Sequence, residues 1–370
     1  MKNIQIQDIL DALKNVRYPG EEGNIVSSGM VQDDIKIEGN KVSFSIRFKK
    51  AKDPFHKSVI KAAESAILTY VSDDIEIKGN ITPLFPKLPP PPKSSKVLAG
   101  VKNIIAVSSG KGGVGKSTVT ANLAVALSSM GYKVGLLDAD IYGPSMPRML
   151  NLEDAHAVLV EIDGREFIEP AEKYGVKMLS IGFFVERDSA IVWRGAMASN
   201  ALGQLITEGN WGELDYMLID LPPGTSDIHL TLIQTLGITG SIVVTTPQNV
   251  ALDDARKGIS MFRDEKINVP ILGIVENMSW FTPAELPQNR YYIFGKDGGK
   301  QLAEELKVSL LGQIPLVQSV REAADAGEPI ALCEDSIMGI AFRNLAENVI
   351  AAIQKRNSDL PPTQRVEITQ

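Results

Sequence analysis

Two kinds of apolar spacing divide the chain. Near its start, Ile6, Ile9, Leu10 and Leu13 recur at helical intervals and predict a helix over 6–15. Residues 34–38 then alternate apolar and polar, Gly39-Asn40 reads as a turn, and 42–46 alternate again, as two strands of a hairpin should. A second helix is predicted over 54–70 and a third alternating strand over 74–78. This is the pattern of a small α+β module.

Beyond residue 100 the alternation disappears. Residues 104–108, 133–137, 216–219, 241–245, 271–275 and 309–314 are nearly continuous apolar runs, as strands of a parallel sheet covered on both faces require. Helical stretches such as 118–130 and 254–263 lie between them. The expected fold class is α/β, a doubly wound, mostly parallel sheet preceded by a small α+β domain. A last helix, 336–355, gathers Met338, Phe342, Leu345, Val349, Ile350 and Ile353 on one face. Its polar face lacks the Lys/Arg cluster of a membrane-surface helix, so docking onto the sheet is the expected use.

Between the two patterns, 82–95 carries six prolines, including the run Pro89 to Pro92, which favours an extended spacer. The expected organisation is a small domain over 1–81, a proline-rich linker over 82–100, an α/β domain over 101–356 and a loose polar tail over 357–370.

Composition narrows the chemistry. A net charge of −7 over 370 residues argues against a general nucleic-acid binder. A single cysteine, Cys333, rules out an internal disulfide framework; beside Ile330, Ala331 and Leu332 it reads as a packed core thiol. His56, His156 and His229 are scattered, without zinc-ligand spacing, and are expected at the surface or as caps. No apolar run reaches the length of a membrane span, and residues 1–14 lack a signal-peptide core, so a cytoplasmic location is expected.

The strongest chemical signal is Gly110-Lys111-Gly112-Gly113-Val114-Gly115-Lys116-Ser117, which fits the phosphate-loop pattern between a predicted strand and a predicted helix. Its glycines let backbone N–H groups converge on phosphate, and the following helix adds its positive dipole end. Lys116 is expected on the β- and γ-phosphates and Ser117 on Mg²⁺. Asp220 closes the strand at 216–219, where a carboxylate is placed to hold Mg²⁺, and Gly224 in the following loop permits close approach to a γ-phosphate. Asp138 and Asp140 close the strand at 133–137; one of them is expected to orient the attacking water.

With its neighbours Ser108, Ser109 and Thr118, this loop resembles the phosphate loop of the MinD/ParA/nitrogenase-iron-protein group, whose mark is the additional lysine, here Lys111. That resemblance implies an ATP-dependent homodimer in which Lys111 reaches the partner's nucleotide. Leu137 to Pro147, Asp220 to Asp227 and Val275 to Ser279 further resemble the Mrp/Nbp-type branch of iron–sulfur cluster carriers. The resemblance implies Asp140 as the water-positioning carboxylate, Asp220 as the second Mg²⁺ residue, and Asn277, with the stretch 312–315, near the adenine. It implies ATP and Mg²⁺ as cofactors, an iron–sulfur cluster delivered to apo client proteins or assembly factors, and no nucleic-acid or membrane partner. The N-terminal module resembles the small domain of iron–sulfur assembly factors, with Tyr18-Pro19-Gly20 where that domain has Asp-Pro-Glu.

One part of the pattern is missing. The branch holds its cluster between subunits by a Cys-x-x-Cys shortly after the segment corresponding to Glu276–Ser279. Here residues 280–292 contain no cysteine, Thr282 and Glu285 fall near that spacing, and the cluster ligands are unknown. Three readings therefore stand: a cluster carrier with other ligands, an ATP-driven assembly factor that holds no cluster, and a ParA/MinD-like positioning ATPase.

Overall fold

The computed structural model describes residues 4–19, 23–48, 53, 55–85, 97–141, 143–184, 195–283, 285–286 and 288–363. The chain separates into two compact units, Met1–Ser95 and Lys96–Gln370.

In the first unit, α1 (Ile6–Leu13) starts at a reciprocal cap between Gln5 and Asp8 and buries Ile9, Ala12 and Leu13. Strands β1 (Lys36–Glu38) and β2 (Lys41–Arg47) form the expected antiparallel hairpin across Gly39, whose φ of 62° suits glycine. Helix α2 (His56–Tyr70) follows, and β3 (Ile81–Leu84) returns parallel to β2, giving the sheet order β1-β2-β3. The core gathers Ile9, Leu13, Ile46, Phe48, Ile67 and Ile77, all at most 1% exposed.

The third strand is not where the alternation placed it. Ile75 and Ile77 are buried, but 74–78 makes only a single bridge, Glu76 to Lys41, before Asn80 N–H closes a turn on the Ile77 carbonyl. The pairing strand starts after that turn, at Ile81, and runs into the stretch assigned to the linker. It tolerates Pro83 because β3 lies at the sheet edge, where a missing N–H leaves no partner unsatisfied. The rest of the expected linker, 86–96, lies outside the described residues.

The second unit carries an eight-stranded sheet. Its strands are β4 (Val101–Ser109), β5 (Val134–Asp138), β8 (Ala171–Lys173), β9 (Val176–Ser180), β10 (Leu214–Asp220), β11 (Gly240–Thr245), β12 (Ile271–Phe281) and β13 (Leu310–Leu316); a separate hairpin, β6 (Val158–Ile162) with β7 (Arg165–Glu169), completes the numbering. The order is β13-β12-β11-β4-β10-β5-β9-β8, parallel except for the β8–β9 edge. The helices are α3 (Lys116–Ser129), α4 (Met146–Met149), α5 (Gly195–Thr207), α6 (Asp227–Thr235), α7 (Asn249–Arg263), α8 (Gly298–Leu306), α9 (Gln318–Ala326) and α10 (Ile337–Asp359). The doubly wound expectation holds, and every apolar run named from the sequence falls on a strand of this sheet, with 133–137 and 309–314 each starting one residue early.

Helix α3 is buried nearly all round, so its sequence shows little amphipathic contrast. Helix α10 packs Met338, Phe342, Leu345, Val349, Ile350 and Ile353 into the main core, as the docking reading requires. It runs further than expected, to Asp359, and Arg356 Nη2 donates to the Pro361 carbonyl and Thr363 Oγ1, both at 2.8 Å. Residues 357–363 are thus tied down rather than loose; 364–370 lie outside the described residues. Among the described residues, no helix is long and apolar enough to cross a membrane.

Candidate functional site

The site stands at the carboxyl end of β4, the middle strand from which the chain departs to both sides of the sheet. Crevices of this kind receive ligands in open α/β sheets. The loop 110–115 leaves β4 and enters α3 through Gly113 and Gly115, each at φ 81°, a backbone shape that side chains disfavour. At Gly110 a Cβ would overlap the Asp254 carbonyl of α7, so the loop can run here only without a side chain. The residues from Lys111 to Thr118 line a cleft of about 210 Å³ with Ser109, Ser145, Met149 and Pro223.

Below the cleft four side chains converge. Lys116 Nζ lies 2.7 Å from Asp220 Oδ2, with the two side chains 6% and 0% exposed. Ser117 Oγ donates to the same oxygen at 2.6 Å, and Thr120 Oγ1 donates to Asp220 Oδ1 at 2.9 Å. Asp220 is therefore hydrogen-bonded on both oxygens, which is what a buried carboxylate demands. A Ser hydroxyl and an Asp carboxylate sharing one contact at the foot of a phosphate loop suit Mg²⁺, which keeps waters and phosphate oxygens as its other ligands.

Beside Asp220, in register across the β5–β10 pair, lies Asp138. It is fully buried; Ser180 Oγ donates to its Oδ2 at 3.0 Å and the Asp140 backbone N–H to its Oδ1 at 3.2 Å. Burial, and then the nearby Asp220 carboxylate, push its carboxyl up to about 7. Asp140 itself is half-buried just past the strand end. Of the pair left open by the sequence, Asp138 is the buried brace and Asp140 the group nearer solvent.

The loop after β10 is docked onto the cradle. Gly224 N–H donates to the Ser109 carbonyl at 2.9 Å, with φ 81° at Gly224. Its continuation caps α6: Ser226 N–H donates to His229 Nδ1 at 3.1 Å, while Nε2 of this fully buried ring has no hydrogen-bond partner among the described residues. Burial pushes His229 down to about 4. The capping expectation holds for His229, although the ring sits in the interior rather than at the surface.

Asn277 lies on the other flank, on β12. Its Nδ2 donates to the Val114 carbonyl at 2.8 Å and sits against Gly115, so this amide braces the phosphate loop. The preceding Glu276 is fully buried; its carboxylate accepts the Gly299 and Lys300 N–H groups at the start of α8 and, at 2.9 Å, the Gln313 side chain. Lys111 is half-buried on the loop and has no ion pair among the described residues.

The structure thus brings together Gly110–Thr118, Asp140, Asp220 and Asn277. Sequence reading missed Thr120, Ser180, Ser145 and Met149. Thr120 was within reach, since it stands one turn after Lys116 on the same helix; nothing local marks Ser180.

Ligands for an iron–sulfur cluster are not assembled. Strand β12 runs on to Phe281, which pairs with Tyr291 through two backbone hydrogen bonds of 2.8 and 2.9 Å. Thr282 Oγ1 is spent on the Asn289 carbonyl at 3.1 Å, and the Arg290 guanidinium lies 4.3 Å from the Trp280 ring centre. No thiol is present there, and no cluster of three His, Cys, Asp or Glu side chains suited to a metal occurs among the described residues. Cys333, expected in the core, is exposed: the short helical turn Ile330–Leu332 buries Ile330 and Ala331 and turns the following thiol outward. The residues present do not fit a cluster held by this chain's own thiolates.

Comparison with known proteins agrees with the phosphate-loop geometry. Residues 100–350 match the family described as NUBPL iron-transfer P-loop NTPase, and residues 6–78 match the family described as iron–sulfur cluster assembly protein. The chain is 41% identical over 348 residues to an iron–sulfur cluster carrier protein of Synechocystis sp., covering 93% of this chain and 97% of that protein. It is 46% identical over 260 residues to an Arabidopsis thaliana mitochondrial iron–sulfur protein required for NADH dehydrogenase, covering 70% and 81%. Among solved structures, an ADP complex of a nucleotide-binding protein from Archaeoglobus fulgidus superimposes with a TM-score of 0.55 at 37% identity, over 63% of this chain and 89% of that one. The Mg-ADP complex of the septum site-determining protein MinD from Pyrococcus horikoshii gives 0.50 at 25%, over 69% and 98%.

Proposed function

The chain belongs to the NUBPL iron-transfer family of P-loop NTPases, and from that premise we propose that it binds and hydrolyses ATP with Mg²⁺ and uses the cycle to deliver iron–sulfur clusters to apoproteins in the cytoplasm. The observation that carries this reading is the meeting of Lys116, Ser117 and Asp220 beneath a glycine cradle.

In this reading the loop N–H groups of 110–118 and Lys116 hold the β- and γ-phosphates, while Ser117 and Asp220 hold Mg²⁺. Asp140 orients the attacking water. Two chains meet as a homodimer, in which Lys111 of each neutralises charge on the other's transferring phosphate. Asn277 keeps the loop in shape on the side where the adenine lies.

The cluster is cargo. Each chain offers one thiol, Cys333, and a standard cluster takes four thiolates, so its remaining ligands come from the proteins that hand it over or receive it. The missing thiols at 280–292 favour an ATP-driven delivery factor over a carrier that stores the cluster alone.

Anaerobic transfer from a cluster donor to an apo-ferredoxin, followed by visible absorption, tests the reading. ATP and Mg²⁺ should speed the transfer with the wild type but not with Lys116→Ala. Equal rates with both proteins would defeat it.

A further inference from the structure

The first unit carries a groove apart from the residues assigned to nucleotide. It has a volume of about 540 Å³ and runs along the outer face of α2. Ile60 and Leu68, both half-buried, form its floor, and Lys57, Lys61 and Lys78, all exposed, form its rim.

The rim is built, not incidental. Lys57 and Lys61 stand four residues apart on one helix face, a spacing at which like charges repel and weaken the helix. Lys78 comes from the turn after α2, closed by Asn80 N–H on the Ile77 carbonyl at 2.9 Å, with Gly79 at φ 80°. Glu64 is the one acidic residue among the groove's described lining, against three lysines, and it is held in place: its Oε1 accepts the Gly79 N–H at 2.8 Å. That bond pins the turn to the helix and sets Lys78 beside the other two cations. None of the three lysines has an ion pair among the described residues.

The shape selects the kind of partner. Ile60 and Leu68 lie two helical turns apart, about 12 Å along the axis at 1.5 Å per residue. That length takes a short peptide segment with two apolar side chains. The apolar floor is recessed beneath the cations, so a flat membrane surface would meet the lysines and not the floor. Among the described residues no aromatic side chain lines the groove, so it offers no stacking platform for single-stranded nucleic acid.

We propose that this groove docks an acidic segment of a partner protein, with leucine-class side chains seated over Ile60 and Leu68 and flanking carboxylates on Lys57, Lys61 and Lys78. The inference stands apart from the nucleotide site, whose state can be followed in the same samples.

The test uses the full chain and fluorescence anisotropy. The probe is a labelled peptide of glutamate with leucine at every fourth position. Its controls are the same peptide with glutamine for glutamate, a single-stranded oligonucleotide, and phosphatidylserine vesicles. The acidic peptide should bind, lose affinity with rising salt, and lose at least about tenfold in Lys57→Gln/Lys61→Gln, with a smaller loss in Lys78→Gln. Lys41→Gln, an exposed charge elsewhere in the unit, should leave binding unchanged, as should the presence of ATP. The proposal is overturned if the acidic peptide does not bind, if the groove variants bind it as the wild type does, or if the oligonucleotide or vesicles bind more tightly through the same lysines.

Discussion

Lys116 Nζ and Asp220 Oδ2 form an ion pair 2.7 Å long that is closed off from solvent. The ammonium and the carboxylate neutralise one another across the floor of the cleft, with Ser117 donating to the same oxygen. Under the proposed function, a magnesium–nucleotide complex would exchange this pair for two others, lysine to phosphate and carboxylate to metal.

Removing one member strands the other. Lys116→Met should abolish nucleotide binding in calorimetry and destabilise the second unit by about 3–5 kcal/mol, the usual cost of leaving a buried charge without its counterion. Lys116→Met/Asp220→Asn should recover part of that loss in urea denaturation while still failing to bind. Equal midpoints for the single and double variants would show that the pair carries no such coupling.

Asp140→Ala should retain Mg-ATP binding within about threefold and lose roughly 10²-fold or more in turnover, the range expected for a lost proton-handling group. Steady-state phosphate release and nucleotide titration on the same sample separate the two effects. A variant that hydrolyses at the wild-type rate removes Asp140 from the mechanism.

Asn277→Ala removes the amide that holds the Val114 carbonyl. The loosened loop should bind ATP and GTP more weakly by a common factor, about tenfold for one hydrogen bond of roughly 1–1.5 kcal/mol. A change in the ATP-to-GTP ratio would instead place this side chain on the base.

Two buried groups set opposite pH dependences on stability without metal or nucleotide. His229 stays neutral in the fold down to about 4, while the unfolded ring takes a proton below its ordinary 6.5. Its contribution is full above 6.5 and is lost as pH falls toward 4. Asp138 keeps its proton in the fold up to about 7, against an ordinary 3.8, so its contribution is full below 3.8 and is lost as pH rises to 7. The wild type should change little between pH 4 and 6.5. His229→Gln should leave the Asp138 trend alone, with stability falling on the order of 3 kcal/mol as pH rises through that window, at 1.36 kcal/mol per unit. Thermal melts in EDTA across the range check this; a variant that is most stable at neutral pH contradicts it.

The parts legible in the sequence are those whose physics is local. The phosphate loop declares itself because glycines, lysine and serine must be adjacent to wrap a phosphate. The buried parallel strands show as apolar runs because both their faces are covered. What was missed depends on distant partners or on exposure. Thr120 and Ser180 matter through carboxylates 100 and 42 positions away. The hairpin β6–β7 is mostly exposed and prints a weak pattern. Strand β3 was hidden by Pro83, whose tolerance follows from an edge position no local window reveals. Cys333 was misplaced because Ile330 and Ala331 are buried while Leu332 and the thiol after it face outward.

The amide of Gly224 has a backbone acceptor, the carbonyl of Ser109. A γ-phosphate that claims this donor trades one hydrogen bond for another, so the exchange costs little in either direction. Under the proposed function, the segment leading into α6 would be the part of the fold to answer the presence of the terminal phosphate.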